Sequence, residues 1–172
     1  MNVIVANATR FVLFVFLQLF IFNQLEFGFG IHLLMCPLYI MLLPFEINIV
    51  ILLVIAFGMG AFVDVFSNTY GLHASSLLFM AYFRPYIFKV FAPRENYDFL
   101  KSPSFLDMGH LWFFSTFSVL LLIHNCWFFI LEAFSFSGFL YTLQKIAISF
   151  VFIYFLSILM QIILIKRSKK NK

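Results

Sequence analysis

Asp64, Asn68, His73, His124, Asn125 and Lys145 are the polar side chains whose types could gather around a small ligand, and each stands inside or beside a long apolar run. A buried ligand site needs several convergent polar groups, and these are few. Metal binding needs a clustered set of His, Cys or carboxylate ligands. The four histidines, His32, His73, His110 and His124, are instead scattered over separate stretches. Cys36 and Cys126 each lie in an apolar stretch, where a small apolar side chain explains them, so no disulfide is expected. Enzyme signatures are missing as well: there is no phosphate-cradling glycine loop, no HExxH and no GxSxG, and the acids within apolar runs stand singly. The reading is therefore of a chain with no catalytic residue, no metal site and no cofactor.

What must position these residues follows from the composition. Of 172 residues, 64% are apolar, 28 are Phe, and Lys plus Arg number 11 against 7 Asp plus Glu. The mean hydropathy is +1.05. A soluble domain carries roughly a quarter charged residues, so a soluble reading is excluded and lipid is the expected solvent. A charge at mid-bilayer costs roughly 2.5–3.5 kcal/mol on insertion scales, so charge-free stretches mark candidate spans. There are six, at 11–25, 27–45, 47–63, 65–83, 108–131 and 146–165. A hydrocarbon core about 30 Å thick needs about 20 helical residues, and all six approach that length. Runs such as Ile47 to Phe57 are apolar on both parities, which disfavours barrel strands. The expected fold is an all-α integral membrane protein, one domain over 1–172. Its spans fall at about 9–25, 31–45, 47–64, 71–92, 108–132 and 139–165, with a basic tail at 166–172. The first span is expected to remain as a helix flanked by Arg10 and not to be cleaved.

Orientation follows from Lys and Arg, which are retained on the cytoplasmic side near span ends. With both termini cytoplasmic, that side holds Arg10, Lys89, Arg94, Lys101 and the tail Lys166, Arg167, Lys169, Lys170 and Lys172, with Arg84 just inside the membrane. The loops around Glu26, Asp64 to Gly71 and Glu132 to Gly138 carry no Lys or Arg. Lys145 dissents, and is expected to snorkel outward or pair with an acid. The tail directly follows a membrane helix, so it reads as an anchor for anionic lipid and not as a nucleic-acid site. Pro85 after Arg84, and Pro37 and Pro44, remove backbone donors and are expected to kink the fourth and second spans.

The most informative string runs from Ala56 to His73. Ala56, Gly60 and Asp64 are four apart and share a helix face whose small residues let a neighbouring backbone approach. Gly58 adds a further small residue, and Ser67 to Gly71 reads as a polar turn in which Gly71 is free to adopt positive φ. Asp64 is expected to be buried, accepting hydrogen bonds from that turn or pairing with Lys145.

This string resembles the MreD family of rod shape-determining proteins, in its Bacteroidota-like form, where a Gly-rich third span runs into Asp, a Phe-Ser-Asn-Thr turn and Gly-Leu-His. Phe79 to Pro85, Pro93 to Tyr97 and Leu131 to Phe136 are similar to later segments of that family, so the likeness covers nearly the whole chain. It implies a non-catalytic protein of the bacterial inner membrane that binds MreC within the elongation machinery of MreB, RodA and a penicillin-binding transpeptidase. It also implies a fold similar to the six-helix substrate-binding subunits of energy-coupling-factor transporters. Such a subunit is the alternative reading, and a small channel or proton-coupled transporter using the same acids as a relay is a third. The residues 93–107 read as a solvated connector or a meeting point for cytoplasmic partners.

Overall fold

The computed structural model describes residues 3–25, 32–93, 102–133 and 138–169, with side chains from residue 5 through residue 162. Arg94, Lys101, most of the 93–107 connector and the side chains of the basic tail lie outside the described residues. All regular structure among those residues is helical: α1 (Val3–Phe20), a short 3-10 turn (Phe22–Gln24), α2 (Cys36–Leu42), α3 (Ile49–Ser67), α4 (Leu72–Val90), α5 (Phe105–Met108), α6 (His110–Ala133) and α7 (Phe139–Lys169). Four stretches are long and apolar enough to cross a membrane: Val5–Gln24, Ile49–Ser67, His110–Ala133 and Phe139–Ile162.

Helices α3, α4 and α6 form the centre, with α7 packed on α6 and α1 on α3. Their contacts bury Met59, Val63, Leu77, Met80, Phe113, Phe117, Leu120 and Phe129. The large residues Val54, Phe57, Val65 and Phe66 of α3, and Val151 and Phe155 of α7, point outward. Apolar residues on every side are what a helix in lipid carries.

Two expectations need correction. Residues 31–45 do not form one helix. Residues 32–35 carry no regular structure, α2 has only seven residues, and the chain turns again at 45–46. Proline sets both limits. Pro37 stands in the first turn of α2, where no amide donor is needed, and Pro44 holds Leu43 extended at ψ 150°, ending the helix instead of kinking it. In addition, Arg10 does not flank the first helix but lies within α1, which starts at Val3. Pro85 lies inside α4, which continues past it to Val90. That helix is not among the four apolar stretches, because His73, Arg84 and Lys89 lower its mean hydropathy; the first two are buried.

Within the strap from His32 to Asn48, every residue from Leu33 to Leu43 is buried by protein, while His32, Glu46 and Asn48 at its two ends are exposed. Non-helical backbone in such a place requires partners for its polar groups, and two side chains provide them. Gln18 of α1 donates from Nε2 to Leu33 O (3.0 Å) and accepts at Oε1 from Met35 N–H (2.7 Å). Arg84 of α4 donates from Nη2 to the carbonyls of Met41 (3.3 Å), Leu43 and Pro44 (3.2 Å), and its guanidinium lies 4.4 Å from the Phe88 ring centre.

Candidate functional site

The buried polar groups converge where α3 turns into α4. Gly60 makes the turn possible, since a Cβ there would stand 2.4 Å from Ala74 Cα, inside the backbone of α4. Gly58, two residues earlier, has open space where a Cβ would be. Helix α3 ends at Asn68, whose left-handed backbone (φ 54°) donates its N–H to Asp64 O, and Gly71 precedes α4 at φ 89°. Both residues serve the turn, and Asn68 is exposed.

Asp64 stands one turn before this end and reaches over to cap α4. Its Oδ1 accepts from Thr69 Oγ1 (2.6 Å), His73 N–H (3.0 Å) and His73 Nδ1 (3.1 Å), and its Oδ2 accepts from Ala74 N–H (2.8 Å). These amides belong to the first turn of α4, whose orphan donors and positive dipole end favour a carboxylate. The chain thus caps one helix with a side chain from the preceding one. Ala56 packs into the core on the same face of α3, one turn before Gly60.

A second set of polar contacts continues into α6. Ser76 Oγ donates to Leu72 O (2.8 Å) and lies 3.1 Å from His124 Nε2, while His124 Nδ1 is 3.3 Å from Asn125 Oδ1. Phe128 lies edge-on to His73, with ring centres 5.0 Å apart. A hydroxyl, an imidazole and an amide in this order have the connectivity of a nucleophile, base and orienting group. Here, however, the hydroxyl is committed to its own helix, and Ser76, His124 and Asn125 are each at most 1% exposed. The arrangement ties α4 to α6.

Lys145 does not pair with Asp64. Its Nζ is 3.0 Å from Glu132 Oε2, and His32 Nε2 is 2.9 Å from Glu132 Oε1, so one carboxylate joins the strap, the end of α6 and the start of α7. A lysine thirteen residues from Glu132, near the start of the next helix, reaches it sooner than an acid on α3. The sequence reading also missed Gln18, which besides holding the strap donates to Asn23 Oδ1 (2.8 Å), while Asn23 Nδ2 donates to Ser67 Oγ (2.6 Å). The available signal was an amide in the middle of the charge-free run 11–25, well before Asn23 and Gln24 at its end. Among the described residues no three His, Cys, Asp or Glu side chains gather in a group that would hold a metal ion.

Comparison with family models, with curated proteins and with solved structures finds no match to this chain.

Proposed function

We propose that this protein is a non-catalytic scaffold of the bacterial inner membrane, similar to MreD, which binds MreC and supports lateral peptidoglycan synthesis and rod shape together with MreB, RodA and a penicillin-binding transpeptidase. The chain crosses the membrane six times with both termini in the cytoplasm. The crossings are α1, the strap, α3, α4, α6 and α7. The strap crosses with Leu33 to Leu43 enclosed in protein, and α4, 19 residues or about 28 Å long, crosses with Arg84 and His73 buried and hydrogen-bonded inside. The distribution of Lys and Arg supports this orientation.

One observation carries the choice of a scaffold over the substrate-binding subunit of a vitamin transporter. The polar side chains that would have to face a ligand are engaged within the chain: Asp64 with Thr69, His73 and the Ala74 amide, His124 with Ser76 and the Asn125 oxygen, Lys145 with Glu132. A binding subunit keeps such groups convergent on a pocket. The Ala56–His73 string, which carries the likeness to MreD, builds the rigid corner itself.

Affinity purification of the full chain from mild detergent tests the reading. MreC is expected to co-purify, and depletion is expected to round or swell the cells. Recovery of a transport ATPase instead, with loss of uptake of one vitamin and unchanged cell shape, would establish the transporter reading. Labelling of cysteines placed at Asn23 and Ser135 from outside, and at Ser168 only after permeabilisation, is the outcome expected of the topology.

A further inference from the structure

The interface of α6 and α7 carries a polar line that plays no part in the corner described above. On α6, Ser118, Asn125 and Glu132 are spaced by seven, two helical turns, and share a face. On α7, Lys145, Ser149, Ile153, Ser157 and Gln161 are spaced by four, and the last four are at most 1% exposed. The Lys145–Glu132 pair and the contacts of Tyr154, edge-on to Phe114 and tilted against Phe117, with ring centres 5.2 and 6.0 Å apart, fix the two helices antiparallel. Asn125 lies eight residues beyond Phe117, about 12 Å, and Ser149 lies five residues from Tyr154, about 7.5 Å in the same direction. The two therefore sit within about 5 Å of each other along the seam.

Asn125 Nδ2, Ser149 Oγ and Ser118 Oγ are buried with no hydrogen-bond partner among the described residues. Serine in a helix usually donates back to a carbonyl of its own preceding turn. Ser157 does so to Ile153 O (2.7 Å) and Ser76 does so to Leu72 O, but Ser118 and Ser149 do not. Leaving a buried polar group without a partner is costly, because its lost hydration is not repaid. Asn125 and Ser149, close together along the seam, make a donor and acceptor set matched to water, which needs two to four polar partners, while Ser118 lies about 10 Å further along α6.

We infer that the α6–α7 seam is a hydration site, in which internal water bridges Asn125 Nδ2 and Ser149 Oγ between the Lys145–Glu132 pair and the middle of the bundle.

The test uses the full chain in lipid nanodiscs. With 15N-asparagine labelling, magnetisation transfer from water is expected at the Asn125 side-chain amide, identified by its loss in Asn125→Leu, and the transfer is expected to fall in Ser149→Ala. Exposed Asn68 provides the positive control. In thermal unfolding, Ser149→Ala is expected to lower Tm by about 2–4 °C in the native background and to have no effect in the Asn125→Leu background. Absence of water transfer at Asn125 while Asn68 shows it overturns the inference. So does a Tm that rises on Ser149→Ala alone, the result of removing a dry unpartnered hydroxyl, or a Ser149→Ala effect that is the same in both backgrounds.

Discussion

The α3–α4 hairpin and the strap of residues 32–48 both hold backbone polar groups in an apolar interior, and they satisfy them from different distances along the chain. In the hairpin, the donors at the start of α4 are capped by Asp64, nine and ten residues away. In the strap, the Leu33 carbonyl and Met35 amide depend on Gln18, and the carbonyls after α2 depend on Arg84, about forty residues further on. The hairpin can therefore close as a local unit, while the strap is held only after α1 and α4 have arrived on either side. This orders the two regions in folding and gives each its own points of failure.

The largest effect is expected at Gly60. Leucine there must displace the α4 backbone, which a flexible side chain elsewhere cannot relieve. Overpacking of this kind exceeds the usual 1–3 kcal/mol, reaching about 4 kcal/mol or more. Fluorescence-detected size-exclusion in mild detergent should show loss of the monodisperse peak. A Gly60→Leu protein with a normal profile would mean that the hairpin is not as tight as its geometry.

Arg84→Met comes next. It keeps the length and apolar stem but leaves the Met41, Leu43 and Pro44 carbonyls without this donor, at a cost of about 3–5 kcal/mol. The strap should then become accessible, read as faster labelling of a cysteine placed at Leu38. If labelling does not change, the strap is held by apolar packing and the contrast with the hairpin is lost.

Asp64→Ala removes the acceptor for the first turn of α4 and is expected to cost about 1–3 kcal/mol, measured by thermal unfolding. Asp64→Asn, which keeps one acceptor oxygen, should lie between. Because the cap is local, strap accessibility at Leu38 should stay native in both variants, in contrast to Arg84→Met. Opening of the strap by Asp64→Ala would show the two regions to be coupled.

The smallest effect is expected at Gly58, where a methyl enters open space and replaces a poor helix former, raising stability by up to about 1 kcal/mol. Loss of stability, or loss of a co-purifying partner with stability intact, would give Gly58 a close-packing role of its own and remove the distinction from Gly60.

The sequence by itself determined whatever rests on local periodicity or on neighbours within about a dozen residues. Charge-free runs marked the long helices α3, α6 and α7, because the cost of a charge in lipid is a property of single positions. The spacing of Ala56, Gly60 and Asp64 and the turn from Ser67 to Gly71 located the hairpin, because a helix face and a turn are set by adjacent backbone angles. Only the tertiary structure decided the fate of residues 31–45, whose apolar composition suits a span, a buried strap or a short helix equally well. Its outcome depends on Gln18 and Arg84 being present on either side. The same holds for Lys145, which had two acids within conceivable reach, Asp64 and Glu132. Which of them it met was fixed by how α6 and α7 lie against each other, and a one-dimensional pattern of charges does not contain that angle.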